Sequence, residues 1–166
     1  AMAALGPVSV GYQLPDYTAY EDMFNLHLAR LSTVALRTRE QDGFVLTSKR
    51  LERELDERDL GALVFSNPCN PTGNVIAGAE LAAIVRIARD RGVTLLLDEF
   101  YSQFIYTKEG RPGAGPVSAA AHVDDVDRDP VLLFDGLTKG FRYPGWRVGW
   151  ALGPSAMMET LARTAS

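Results

Sequence analysis

The chemistry in this chain of 166 residues concentrates in one stretch, Asp135 to Trp150. It holds Lys139 in a loop with glycines and a proline nearby, and Arg147 eight residues further on. The apolar run Val131-Leu132-Leu133-Phe134 precedes it and reads as a buried strand. A lysine at the mouth of a buried strand is short of water, which disfavours its charged form and lowers its pKa. A neutral amine is a nucleophile, and its commonest product is a Schiff base with a carbonyl. Arg147 is a permanently charged fork suited to a phosphate. The pair suggests a ligand that carries both an aldehyde and a phosphate. The competing reading is a surface lysine on a loop, because Lys and Gly are both common there.

Three further strand ends carry polar residues. Gly61 to Ser66 reads as a strand running into Asn67-Pro68-Cys69-Asn70-Pro71-Thr72-Gly73, a rigid non-helical loop. Val93 to Leu97 is apolar at four of five positions, which fits a strand buried on both faces, and it ends in Asp98-Glu99-Phe100-Tyr101. Val8 to Tyr12 leads to Pro15-Asp16-Tyr17. Each residue also has a plain structural reading: Asp98 as an N-cap, Tyr101 as a core aromatic with a wet tip, Asn70 as a turn residue. In open α/β sheets, ligands bind outside the carboxyl ends of the strands. The co-occurrence of Asn70, Asp98, Tyr101 and Lys139 at such ends argues for one site.

The elements that would hold these residues alternate. From Thr18, Tyr20, Phe24, Leu28 and Leu31 step at helical spacing, and Thr18 with Glu21 forms a capping-box pattern. Thr33 to Arg37 reads as a strand. Leu51 to Leu60 reads as an amphipathic helix whose charge run, Lys49 to Asp59, is a solvated face. Leu81, Ile84, Val85 and Ala88 mark a helix closed by Gly92. Thr107 to Pro130 reads as a surface excursion with a short helix near Ser118 to His122. Trp146 to Leu152 reads as a strand, and Pro154 to Thr164 as a helix. The order β, α, β, α, β, α, β, β, β, α predicts an α/β architecture with a largely parallel sheet in one domain.

Composition narrows the function class. A net charge of −4 and a pI near 5.2 argue against a nucleic-acid or anionic-membrane partner. The single cysteine, Cys69, permits no internal disulfide and favours a reducing compartment, which points to a cytoplasmic location. His27 and His122 stand far apart with no Cys or Glu at ligand spacing, so no metal site is expected.

Taken together, Asn-Pro-Cys-Asn-Pro-Thr-Gly at 67–73, Asp-Glu-Phe-Tyr at 98–101 and Thr-Lys-Gly-Phe-Arg-Tyr-Pro-Gly-Trp-Arg-Val-Gly at 138–149 resemble the class I/II aminotransferases. These are fold-type I enzymes that use pyridoxal 5′-phosphate. The eight-residue spacing from Lys139 to Arg147 is the family's, and Pro15-Asp16-Tyr17 followed by Tyr20 also fits. The resemblance implies a three-layer α/β/α large domain, of which residues 1–166 form an incomplete part. It implies transfer of an amino group between an amino acid and a 2-oxo acid, in a homodimer. Lys139 would hold the cofactor as a Schiff base and move a proton. Asp98 would pair with the pyridine nitrogen. Tyr101 and Asn70 would reach the ring's 3′ oxygen, and Asn70 also the substrate carboxylate. Tyr17 would stack on the ring, while Thr138 and Arg147 would hold the phosphate. The resemblance assigns no role to Arg142.

The resemblance also has gaps. Many relatives carry a serine three residues before the lysine, where this chain has Gly136. The family's Gly-rich phosphate loop is expected upstream of residue 1, and its substrate-carboxylate arginine downstream of residue 166, in a small domain. The 166-residue piece is therefore expected to be inactive alone. The cofactor residues also fit other pyridoxal-phosphate chemistry, such as a lyase, decarboxylase or synthase. They fit equally a non-catalytic, ligand-sensing aminotransferase-like domain of a transcription regulator.

Overall fold

The computed structural model describes residues 2, 5–27, 29–106 and 115–165. Among them are six strands and four α-helices: β1 Val8–Leu14, α1 Ala19–Asn25, β2 Leu31–Arg37, α2 Ser48–Glu57, β3 Ala62–Ser66, α3 Gly78–Arg91, β4 Thr94–Asp98, β5 Val131–Gly136, β6 Gly149–Leu152 and α4 Ser155–Ala165. They form one sheet in the order β2-β1-β3-β4-β5-β6. Every neighbouring pair is parallel except β5 and β6. The alternation read from sequence is thus present, in a mostly parallel α/β sheet.

The central strands are short apolar runs because both faces of the sheet are covered. Side chains alternate along a strand. Leu63, Phe65, Leu95, Leu97, Val131 and Leu133 therefore pack on one face, with Leu51 of α2 and Leu81, Ile84, Val85 and Ala88 of α3. Ala62, Val64, Leu96 and Leu132 face the other side, with Tyr20 and Phe24 of α1 and partly buried Met157, Met158 and Leu161 of α4. Full burial of each such Leu or Phe contributes about 1.5–3 kcal/mol. Gly92 closes α3 in the left-handed conformation, its N–H bonded back to Ala88 and Arg89.

Several local expectations are corrected. The helix from Thr18 ends at Asn25, and Leu31 is the first residue of β2, paired with Val8 at the start of a seven-residue ladder. That ladder overrides the helical spacing; Leu28 lies outside the described residues. The capping box does not form. Thr18 has helical backbone angles, and Glu21 accepts a hydrogen bond from the Tyr12 hydroxyl at 2.8 Å. The run Lys49 to Asp59 is not wholly solvated: Glu54 is buried and accepts from Arg58 at 2.9 Å. In the excursion after Tyr106, residues 107–114 lie outside the described residues. The excursion is not wholly at the surface, because Asp129 is buried and gripped by Arg89 through two hydrogen bonds of 2.5 and 2.6 Å. The expected strand from Trp146 is shorter. Pro144–Trp146 is a single 3₁₀ turn, Arg147 is left-handed, and the strand starts at Gly149.

Candidate active site

The connection from β1 to β2 runs to one side of the sheet, and β3, β4 and β5 follow on the other. The reversal opens a crevice at the carboxyl edge of β1 and β3, where α/β sheets bind ligands. Each sequence-predicted residue leaves the sheet at this edge. Tyr17 follows β1, Asn70 follows β3, and Asp98 and Tyr101 end and follow β4. Thr138, Lys139 and Arg147 lie in the loop joining β5 to β6. One cleft of about 450 Å³ is lined by all seven, together with Met23, Ser66 and Phe100. That volume is in the range of small-ligand sites.

The loops are held by their own hydrogen bonds. Asn67 exchanges two with Ile76, its Nδ2 donating to the carbonyl and its Oδ1 accepting from the amide, each at 2.8 Å. This ties the start of the Asn-Pro loop to its end. The Asn70 amide donates to Ser66 Oγ at 3.0 Å. Asp98 Oδ1 accepts from the Phe100 amide at 3.2 Å, and Oδ2 from the Tyr20 hydroxyl at 3.1 Å. Burial raises the Asp98 pKa from its ordinary value. These two donors and the Lys139 charge act against burial, and Asp135 acts with it. A carboxylate of raised proton affinity is suited to share a proton with a heterocyclic nitrogen. Burial and the nearby Asp98 and Asp16 push the Tyr20 hydroxyl far up, so it stays a donor.

Lys139 differs from expectation. It is exposed, and so is every residue from 141 to 150. The loop rises off the end of β5 into solvent, and the burial invoked for the amine is not supplied here. Its Nζ lies 5.3 Å from the centre of the Tyr101 ring, a favourable place for a cation. Arg147 is also exposed, with its Nη1 donating to the Pro144 carbonyl at 3.2 Å. Arg142 is exposed as well. Gly136 has a steric explanation. It pairs with Gly149 across the β5–β6 hairpin, and a Cβ there would sit 2.8 Å from the Val148 carbonyl oxygen and 2.9 Å from the Phe100 ring.

The sequence reading missed Asp16, Ser66 and Tyr20 as site residues. Asp16 is buried directly under Tyr17, accepting from the Tyr17 amide at 2.7 Å, from the Ser66 amide at 3.0 Å and from the Ser66 hydroxyl. Burial pushes it up to about 6. Its position at a strand end was the available signal. Tyr20 was read as a core position, and its ring is buried, but its hydroxyl reaches the site. Among the described residues no group of side chains has the arrangement to hold a metal ion, and no helix is long and apolar enough to cross a membrane.

The donor set suits pyridoxal 5′-phosphate: an amine, a partly buried carboxyl of raised proton affinity, two ring-edge polar groups, an aromatic face, and a hydroxyl with a guanidinium. Comparisons with known proteins agree with this. The chain is 29% identical over 153 residues to an aspartate aminotransferase of Sulfurisphaera tokodaii, covering 92% of this chain and 36% of that protein. It is 31% identical to an aspartate/prephenate aminotransferase of Thermus thermophilus, over the same shares. The aspartate aminotransferase of Thermus thermophilus with maleate superposes with a TM-score of 0.82 at 28% identity, covering 99% of this chain and 40% of that one. The chain thus spans well under half the length of the relatives it matches. Members of this group of enzymes use pyridoxal 5′-phosphate. The profile for aminotransferase class I and II matches residues 9–166, and the chain belongs to that family.

Proposed function

We propose that these residues are part of the cofactor-binding large domain of a pyridoxal-phosphate-dependent aminotransferase. It moves an amino group from an amino acid to a 2-oxo acid. The whole protein works as a homodimer in the cytoplasm, in amino-acid biosynthesis, with no nucleic-acid or membrane partner. The observation that carries the reading is the convergence of Tyr17, Asn70, Asp98, Tyr101, Thr138, Lys139 and Arg147, from four strand ends, on one cleft.

When bound, the cofactor supplies an electron sink that stabilises negative charge at the amino acid's Cα. This chain's residues bind, orient and move protons around it. Lys139 would hold the cofactor covalently through its aldehyde carbon and, once the substrate's amino group has taken its place there, the freed amine would move a proton on and off the substrate's Cα. Asp98, fixed by Tyr20 and the Phe100 amide, keeps the pyridine nitrogen protonated. Tyr101 and Asn70 hydrogen-bond the ring's 3′ oxygen, and Asn70 also meets the substrate carboxylate. Tyr17 covers a ring face. Thr138 and Arg147 hold the phosphate. With Gly136 unable to carry a side chain, these two and backbone amides bear that contact.

The test is an assay of the purified whole protein, of which these residues are a part, with a panel of amino donors and 2-oxo acids. Amino transfer that requires both partners is the expected result. Ammonia or pyruvate released without an acceptor would replace this reading with a lyase.

A further inference from the structure

Asp16 is a buried ionisable group at the cleft to which this mechanism gives no task. It is 4% exposed, and among the described residues no cation forms an ion pair with it. An unpaired buried carboxylate is costly, so stability does not account for it. Its position does. β1 and β3 pair only through Val10–Tyr12 and Ala62–Val64, although β1 continues to Leu14 and β3 to Ser66. Beyond that ladder the strands part, and the crevice opens. Asp16 bridges the gap. One oxygen accepts from the Tyr17 amide and the Ser66 hydroxyl, the other from the Ser66 amide, and Ser66 Oγ in turn accepts from the Asn70 amide.

We infer that Asp16 is a positioning residue that couples the Tyr17 loop to the Asn70 loop through Ser66. The contact to the ring face and the contact to the ring edge are then set as one unit. The inference rests on the cofactor reading above. It assigns Asp16 no contact with substrate or cofactor. The phosphate contacts assigned to this chain, Thr138 and Arg147, come from a different loop, after β5, and do not depend on this bridge.

The test is fluorescence titration of the purified whole protein with pyridoxal 5′-phosphate, and separately with inorganic phosphate as a competitor. Asp16→Asn and Ser66→Ala are each expected to weaken cofactor binding roughly tenfold, the scale of one hydrogen bond to a charged group. The double variant is expected to be no weaker than Asp16→Asn alone, because both changes cut one chain. Competition by inorganic phosphate is expected to stay unchanged. A merely structural role predicts instead that cofactor and phosphate affinities fall together, and that result would overturn the inference. Additive losses, or unaltered cofactor affinity in both variants, would overturn it too. Should Asp16→Asn fail to fold, Ser66→Ala combined with Tyr17→Leu makes the equivalent cycle, with sub-additive losses expected and additive losses contrary. A wild-type protein that binds no pyridoxal phosphate would remove the cofactor reading itself, before any variant is compared.

Discussion

Restoring the serine that many relatives carry three residues before the lysine is expected to damage this protein. In Gly136→Ser the new Cβ would lie 2.8 Å from the Val148 carbonyl oxygen, 2.9 Å from Phe100 Cε1 and 3.0 Å from Gly149 Cα. The Phe100 ring can swing away, but the other two contacts are backbone. The Val148 oxygen is held by the Leu137 amide at 3.0 Å, inside the hairpin that carries Lys139. Relief requires β6 to move off β5. Overpacking of this kind costs roughly 1–3 kcal/mol. At about 2 kcal/mol the melting temperature falls roughly 4–8 °C for a chain of this size. Thermal unfolding followed by circular dichroism measures the shift, and competition by inorganic phosphate shows whether the added hydroxyl binds anything. Gly136→Ala is expected to match the serine variant, since the clash is at Cβ. Combining Phe100→Ala with Gly136→Ser is expected to recover only part of the loss. An unchanged melting temperature together with tighter phosphate binding would refute the steric argument.

Other predictions concern charge and backbone. The Asp16 carboxyl rises from its ordinary 3.8 to about 6 because of burial, and it binds its proton more tightly folded than unfolded. That stability, about 3 kcal/mol, is full below pH 3.8 and lost as the pH rises through about 6. Urea unfolding across this window is expected to show a correspondingly smaller decline in Asp16→Asn; an identical pH profile would count against the burial argument. Hydrogen bonds from Arg89, followed by the Asp124 and Asp125 amides, lower the Asp129 pKa, so its contribution is present at neutral pH and lost as the pH falls through the folded value. Asp129→Ala is expected to lower the denaturation midpoint at pH 7 more than at pH 3, read by the same method. Gly92→Ala, at φ +66°, is expected to cost about 1 kcal/mol without altering cofactor affinity, measured by thermal melting beside a ligand titration.

The strand-end chemistry was legible because it is local. A short apolar run, a turn residue and a reactive side chain follow one another along the chain at 67–73, 98–101 and 138–149, and a parallel sheet brings such ends together without further instruction. What depends on pairing across strands was not legible. Leu31 continues the helical spacing of Tyr20 and Phe24, yet the β1–β2 ladder claims it. Glu21 has capping-box spacing, yet the Tyr12 hydroxyl takes it. Asp16 and Ser66 lie fifty positions apart, and only the fold shows that they share hydrogen bonds. The apolar sequence before Lys139 also misled on burial, because it describes β5 and not the loop that lifts the lysine into solvent.

The central claim is that Lys139 is the residue joined to the cofactor. Borohydride reduction of the protein mixed with pyridoxal 5′-phosphate, followed by proteolysis and mass mapping, tests it directly. The account predicts one reduced pyridoxyl group, on the peptide containing Lys139 and absent in Lys139→Ala. Label on Lys49 or Lys108 in its place, or label that survives the substitution, would contradict it.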